Sequence, residues 1–355
     1  MFGERLKLAR KKAGFSLRKL SEALNGNVSA QSIGKYERGE MMPSSAILMQ
    51  LIDVLDISLE YLMSEQVAEL EEIEFRKLSG VTASKRAQVE AAVIEKLERH
   101  LAIEEILDID NFHWDRQKFG KRFVGEENEG EVVAEDLRAE WELGIDPIPN
   151  MTALLEDRGI KVVFTELPKN TSGLTCLTRK SNRKLTVPVI VVNGGMTLER
   201  RRFTLAHELG HRLIDIESPV DHEKTANIFA GAFLVPKNHI VREVGGSRNA
   251  LAFKELVRLK RRYRVSAATL LLRLKEVNII DQSTLSYAFQ TYAKGWRSSE
   301  PHPLESGEDK CEVPRRFELL CYRALAEKLI SPSKACELLQ RPLDEIAQAM
   351  RGPSY

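Results

Sequence analysis

The segment Phe203-Thr204-Leu205-Ala206-His207-Glu208-Leu209-Gly210-His211 constrains this chain more than any other. Residues four apart on an α-helix stand above one another, so His207 and His211 reach one ion only if the segment is helical. Glu208 then lies beside that ion without binding it, placed to take a proton from water and later return it. Phe203, Ala206, Leu209 and Leu213 offer apolar anchoring, and Gly210 leaves room for a second backbone. A catalytic zinc site needs a third protein ligand and an open position. Asp215, one turn beyond His211, Glu217, just before Ser218-Pro219, and Glu223 on the next helical run are the candidates. His222 adjoins Glu223 and points elsewhere if Glu223 points inward. A metzincin carries glycine at 214 and histidine at 217, so Ile214 and Glu217 exclude that class. Glu223 is preferred, because a crossing helix can deliver one carboxylate. Asn227, four residues later on the same face, can then hydrogen-bond a liganding imidazole from behind, and Ala230 and Gly231 continue that face with small residues.

A chain of 355 residues exceeds one small core, which predicts two or three domains. No stretch approaches the ~20 apolar residues of a membrane span, and the charged start has no signal-peptide core, so a cytoplasmic protein without membrane contact is expected. Cys176, Cys311, Cys321 and Cys336 are scattered without a Cys-x-x-Cys pair, which argues for reduced thiols and against a cysteine metal site. The net charge of +1 gives no global attraction to nucleic acid. Locally the balance differs: residues 1–40 hold nine Lys and Arg against four Glu.

The fold class expected is multidomain, an all-α helix-turn-helix domain followed by an α+β zincin-like metallopeptidase domain with helical extensions. Residues 1–63 read as five short helices punctuated by Gly14, Asn25-Gly26-Asn27 and Gly39, with Ser16, Ser29 and Ser44 as caps. Within them Ser16 to Leu24 and Ser29 to Arg38 form a helix-turn-helix pair. Val28, Ile33 and Tyr36 face inward, leaving Ser29, Gln31, Ser32 and Lys35 to meet DNA; glutamine suits adenine, and serine and lysine suit phosphates or guanine. Arg5, Arg10, Lys11, Arg18 and Lys19 are expected to add backbone contacts. Residues 64–111 read as a charged, largely solvated helical arm, and 112–130 as a loop. Residues 130–245 form the α+β domain, with strands at Ile160 to Phe164, Ser172 to Thr178 and Val187 to Val192, and with Thr197 capping the histidine-bearing helix. Residues 246–355 are a helical extension. It includes the basic run Lys260-Arg261-Arg262-Tyr263-Arg264, read as a solvated face, and a bundle at 314–350 with Leu319, Leu320, Leu325, Leu338 and Leu339 as core. His100, His113 and His302 read as surface residues, and His239 as able to approach the site.

The segments Arg202 to His211, Glu223 to Ala230 and Leu234-Val235-Pro236 closely resemble the ImmA/IrrE family of bacterial zinc metallopeptidases. The likeness extends to Trp141-Glu142-Leu143-Gly144, Pro188 to Asn193 and Tyr263-Arg264-Val265-Ser266, covering about residues 130–280. It implies Zn2+ held by His207, His211 and Glu223, Glu208 as general base, and a protein substrate such as a repressor. Thr225 departs from the acidic residue many members carry. Val28 to Gly39 resembles the recognition segment of XRE-type regulators, with Leu17 departing from a common glutamine. That likeness implies operator DNA as partner and a homodimer. Proteins combining the two types also resemble antitoxins paired with a toxin, so a zinc domain that only holds a partner protein is the alternative.

Overall fold

A computed structural model describes residues 2–64, 68–71, 81–109, 120–180, 186–296, 299–304 and 312–351. The N-terminal unit comprises α1 (Phe2–Lys12), α2 (Leu17–Ala23), α3 (Ala30–Glu37), α4 (Ser45–Leu55) and α5 (Leu59–Met63). Helices this short are marginal alone, so each start is fixed by a side chain. Ser16, Ser29, Ser44 and Ser58 accept the backbone N–H of Lys19, Ser32, Ile47 and Tyr61. Leu6, Leu20, Ile33, Leu51 and Leu62 fill the core between them.

The following elements are β1 (Ala68–Glu71), α6 (Ala83–Ile106), α7 (Glu129–Glu140), α8 (Met151–Asp157), β2 (Lys161–Thr165), β3 (Gly173–Lys180), β4 (Thr186–Asn193), α9 (Leu198–Leu213) and α10 (His222–Leu234). The strands form one mixed sheet in the order β1-β3-β4-β2, with β3 antiparallel to both neighbours and β2 parallel to β4. The period of two then sorts side chains between layers. Val189 and Val191 pack toward Val89, Val93 and Leu97 of α6. Ile190 and Val192 pack with Leu205, Ala206 and Leu209 of α9. Covered on both faces, β4 is accordingly an almost unbroken apolar run. Further helices α11 (Lys237–Val244), α12 (Phe253–Tyr263), α13 (Ala267–Glu276) and α14 (Gln282–Gln290) extend the main core. The helices Arg316–Ala326, Pro332–Leu339 and Leu343–Arg351 surround a smaller core that they share with Ile103 of α6. Among the described residues no helix is long and apolar enough to cross a membrane.

Several expectations are corrected. The segment 64–111 is not a solvated arm: α6 buries Val89, Ala91, Val93, Ile94, Leu97 and Leu101, and β1 adds a strand to the sheet. Charge masked the apolar stripe because α6 packs on several partners at once. His100, expected at the surface, is buried beside Phe317, and burial pushes its imidazole below the usual range. Burial likewise raises the nearby Glu156 carboxyl to about 7, opposed by backbone N–H groups of Arg316 and Arg315. Leu319 is exposed, whereas Leu320 and Leu338 are core. Lys260 is fully buried against Glu199, so the basic run is not wholly a solvated face. The end of the expected loop 112–130 opens α7, while 112–119 and His113 lie outside the described residues.

Arg5 is not a phosphate ligand either. It is buried, stacks 5.0 Å over the Tyr61 ring and pairs at 2.5 Å with the buried Glu98 of α6. Arg10 is held by Glu37 at the end of α3. Breaking a buried pair from one side strands a charge, so Arg5→Met should destabilise the protein by about 3–5 kcal/mol. The double change Arg5→Met with Glu98→Leu should recover most of that loss in urea unfolding; a double variant no more stable than the single would contradict the pairing.

Candidate metal centre

Two stripes divide α9. Leu205, Ala206, Leu209 and Leu213 are buried, while Arg200, Phe203, Thr204, His207 and His211 line an open cleft. α10 crosses against it. At Gly210 a Cβ would stand 2.9 Å from the Phe229 ring and 3.4 Å from Ala226 Cα, so the crossing requires the glycine expected there. Asp221 accepts the N–H groups of Glu223 and Lys224, starting α10 where Glu223 faces α9. Gly231, by contrast, faces Arg273 and Glu276 and contributes nothing to the crossing.

These elements bring three donors together. His207 Nε2 lies 3.1 Å from His211 Nε2 and 3.3 Å from Glu223 Oε2, and His211 Nε2 lies 3.3 Å from Glu223 Oε1. Ligands at about 2.0–2.1 Å from a tetrahedral zinc stand about 3.3 Å apart, so the three atoms fit three corners of such a site. Asn227 Oδ1 is 3.0 Å from His207 Nδ1 and accepts its proton, which turns the Nε2 lone pair toward the other two donors. Phe203 stacks on the His207 ring at 6.4 Å between centroids.

Among the described residues, His207, His211 and Glu223 are the group able to hold an ion. The rival ligands are not brought to it. Asp215 accepts the Glu217 N–H at 3.1 Å, His222 is adjacent but outside the set, and His239 is buried with Nδ1 2.6 Å from the Tyr263 hydroxyl. Burial pushes the thiols of Cys176 and Cys321 up to about 12, which keeps them out of thiolate chemistry.

Glu208 is buried beside the donors. The start of β3 passes directly over it: a Cβ on Gly173 would meet Thr204 Cγ2 at 2.5 Å, the Val191 carbonyl at 3.0 Å and Glu208 Cγ at 3.2 Å. Gly173 was not singled out by the sequence reading, although an isolated glycine beginning a strand signals such an approach. Thr225 is buried and its hydroxyl donates to the Asp221 carbonyl, so the departure from an acidic residue reinforces the start of α10. The cleft over these residues has a volume of about 2360 Å³.

In the N-terminal unit, Gln31 and Lys35 are exposed along α3, while Val28, Ile33 and Tyr36 are buried. The Ser29 hydroxyl caps the helix and lies 2.9 Å from that of Ser32. Arg18 and Lys19 are exposed beside them.

Residues 155–275 match a peptidase family model described as "IrrE N-terminal-like domain", and residues 6–62 match one described as "Helix-turn-helix". The chain joins these two domains. Its N-terminal part is similar to the SPbeta prophage-derived uncharacterized HTH-type transcriptional regulator YonR of Bacillus subtilis (strain 168), 36% identical over 63 residues. That stretch is 18% of this chain and 56% of the relative. No solved structure matches. The IrrE-like family implies a metal, and the two imidazoles with a carboxylate suit one. Removing the outer hydrogen bond in Asn227→Ala should weaken metal binding about 10–100-fold. Competition with a chromophoric chelator measures this; undiminished affinity would show that Asn227 does not orient His207.

Proposed function

We propose that this chain is a DNA-binding transcriptional regulator whose IrrE-like domain is a zinc-dependent endopeptidase acting on a regulatory protein. The carrying observation is the buried Glu208 beside a three-donor set, all four residues lining the cleft. His207, His211 and Glu223 would hold zinc, and Asn227 would keep His207 in the right tautomer. When bound, zinc supplies Lewis acidity toward a water and the scissile carbonyl. Glu208 takes a proton from the attacking water and returns it to the departing amine. A merely structural site has no use for such a base. The cleft also exceeds the ~300–1,000 Å³ of small-molecule pockets, which favours a polypeptide substrate.

The helix-turn-helix unit binds operator DNA through Ser29, Gln31 and Ser32 at the start of α3 and Lys35 in its last turn. Gln31 and Lys35 read bases, and the two serines fix the helix end and its phosphate contacts. A homodimer would place two such helices on successive half-sites. The protein would act in the cytoplasm, where operator and repressor are both available.

Glu208→Gln separates the roles. In the zinc-loaded full chain, cleavage of a quenched-fluorescence peptide library should fall by about 10²–10⁴-fold. Zinc content and DNA affinity should stay at the wild-type level. Cleavage by the variant at the wild-type rate, or none by the wild type, would rule out the peptidase reading.

A further inference from the structure

We propose that the cleft selects an acidic, extended polypeptide segment; the inference rests on the peptidase reading and names its substrate class. The cleft does not end at the metal centre. Its walls include Lys12 of α1 and Lys85, Gln88 and Lys96 of α6, as well as Lys121, Lys169 and Arg200. The occupant therefore runs from the donors on α9 and α10 toward the helix that docks the DNA-binding unit.

Among the described residues, the charge along this track is predominantly positive outside the metal centre. Lys85, Lys96, Lys121, Lys169 and Arg200 are exposed. The acids in the same walls are mostly committed to the fold. Glu199 is paired with Lys260 and accepts the Leu304 N–H, Glu300 accepts the Ala267 N–H, and Asp221 caps α10. Among the described residues, Glu166 is the exposed acid remaining in these walls outside the metal centre. A cleft lined by one sign of charge focuses its field and concentrates ligands of the other sign.

The spacing fits an extended chain. Arg200 precedes His207 by seven residues, about 10 Å along the helix axis at 1.5 Å per residue. An extended peptide advances about 3.3 Å per residue, so Arg200 meets a side chain about three positions from the bond at the metal centre. A peptide can place neutral residues over Glu208 and Glu223 and carry its acids farther along. A nucleic-acid strand brings a phosphate to every step, including those facing the two carboxylates, and fits the track less well.

The test uses full-length zinc-loaded Glu208→Gln protein, so binding is read without turnover. Three fluorescent peptides of equal length are compared by anisotropy: one rich in Glu, one with Gln at those positions, one with Lys. The Glu peptide should bind about tenfold more tightly than the Gln peptide at low salt, and the gap should close as screening shortens toward about 3 Å at 1 M. Replacing Lys85, Lys169 and Arg200 by Glu should reverse the order of Glu and Lys peptides while the thermal melt stays that of the parent. Equal affinities for the three peptides overturn the proposal, as does a charge-reversed variant that keeps the original order. A single-stranded oligodeoxynucleotide that displaces the Glu peptide at comparable concentration overturns it in favour of nucleic acid. Acidic preference without cleavage by the wild type sinks the peptidase reading alone, whereas cleavage without charge preference sinks the substrate class alone.

Discussion

Two buried acid–base pairs set the orientation of α9, and the metal centre depends on that orientation. Arg202 and Glu312 are fully buried against each other, and Lys260 and Glu199 are nearly so. Taking such charges out of water costs several kcal/mol per ion, a cost offset only when the remaining donors and acceptors are also satisfied. Most are met here: Glu312 accepts from Met151 N, Thr152 N and the Thr152 hydroxyl, and Arg202 donates to the Ile148 carbonyl, while Arg202 Nε and Glu199 Oε2 have no partner among the described residues. Both residues are buried, Arg202 outside the cleft lining and Glu199 at the base of the cleft wall. Rotating the helix to swing the imidazoles away would uncouple both pairs. Glu312 and the Leu304 N–H also lie far along the sequence, so the C-terminal extension is fastened to α9.

α6 carries this rigidity to the other end of the molecule. One part of its surface packs on the sheet through Val89, Val93 and Leu97. Ala91 and Ile94 pack with Leu8 of α1, and Gln88 donates to the Lys12 carbonyl. The Arg5–Glu98 pair lies within the same junction. DNA-binding unit and metal domain thus share one helix as a common wall, and the cleft touches both. Occupancy at one site can influence the other only through different contacts in two states. The shared wall is where such contacts would act.

The grouping of His207, His211 and Glu223 was legible because a helix has a fixed geometry. The four-residue spacing placed His207 and His211, and the same rule linked Glu223 to Asn227 once a second helix was inferred. The five N-terminal helices and the three strands of residues 160–193 were legible from caps, turns and β-branched runs. What the sequence concealed depends on long-range packing. The charged repeat of α6 hid a core helix because its apolar residues serve more than one neighbour. Arg5 and Arg10 looked like phosphate ligands because nothing local reveals Glu98, ninety-three positions away, or Glu37 at the end of another helix. β1 is only four residues long and gains its identity by pairing with β3. Arg202 and Glu312 lie apart in sequence and are paired only by the fold.

The central claim is that His207, His211 and Glu223 form one zinc site beneath the cleft. Zinc K-edge X-ray absorption on the zinc-loaded full chain tests it most directly. The account predicts a four-coordinate spectrum with two imidazoles at about 2.0–2.1 Å and the rest oxygen, losing one light ligand or most bound zinc in Glu223→Ala. A sulfur shell at about 2.3 Å, or a spectrum and zinc content unaltered in that variant, would contradict it.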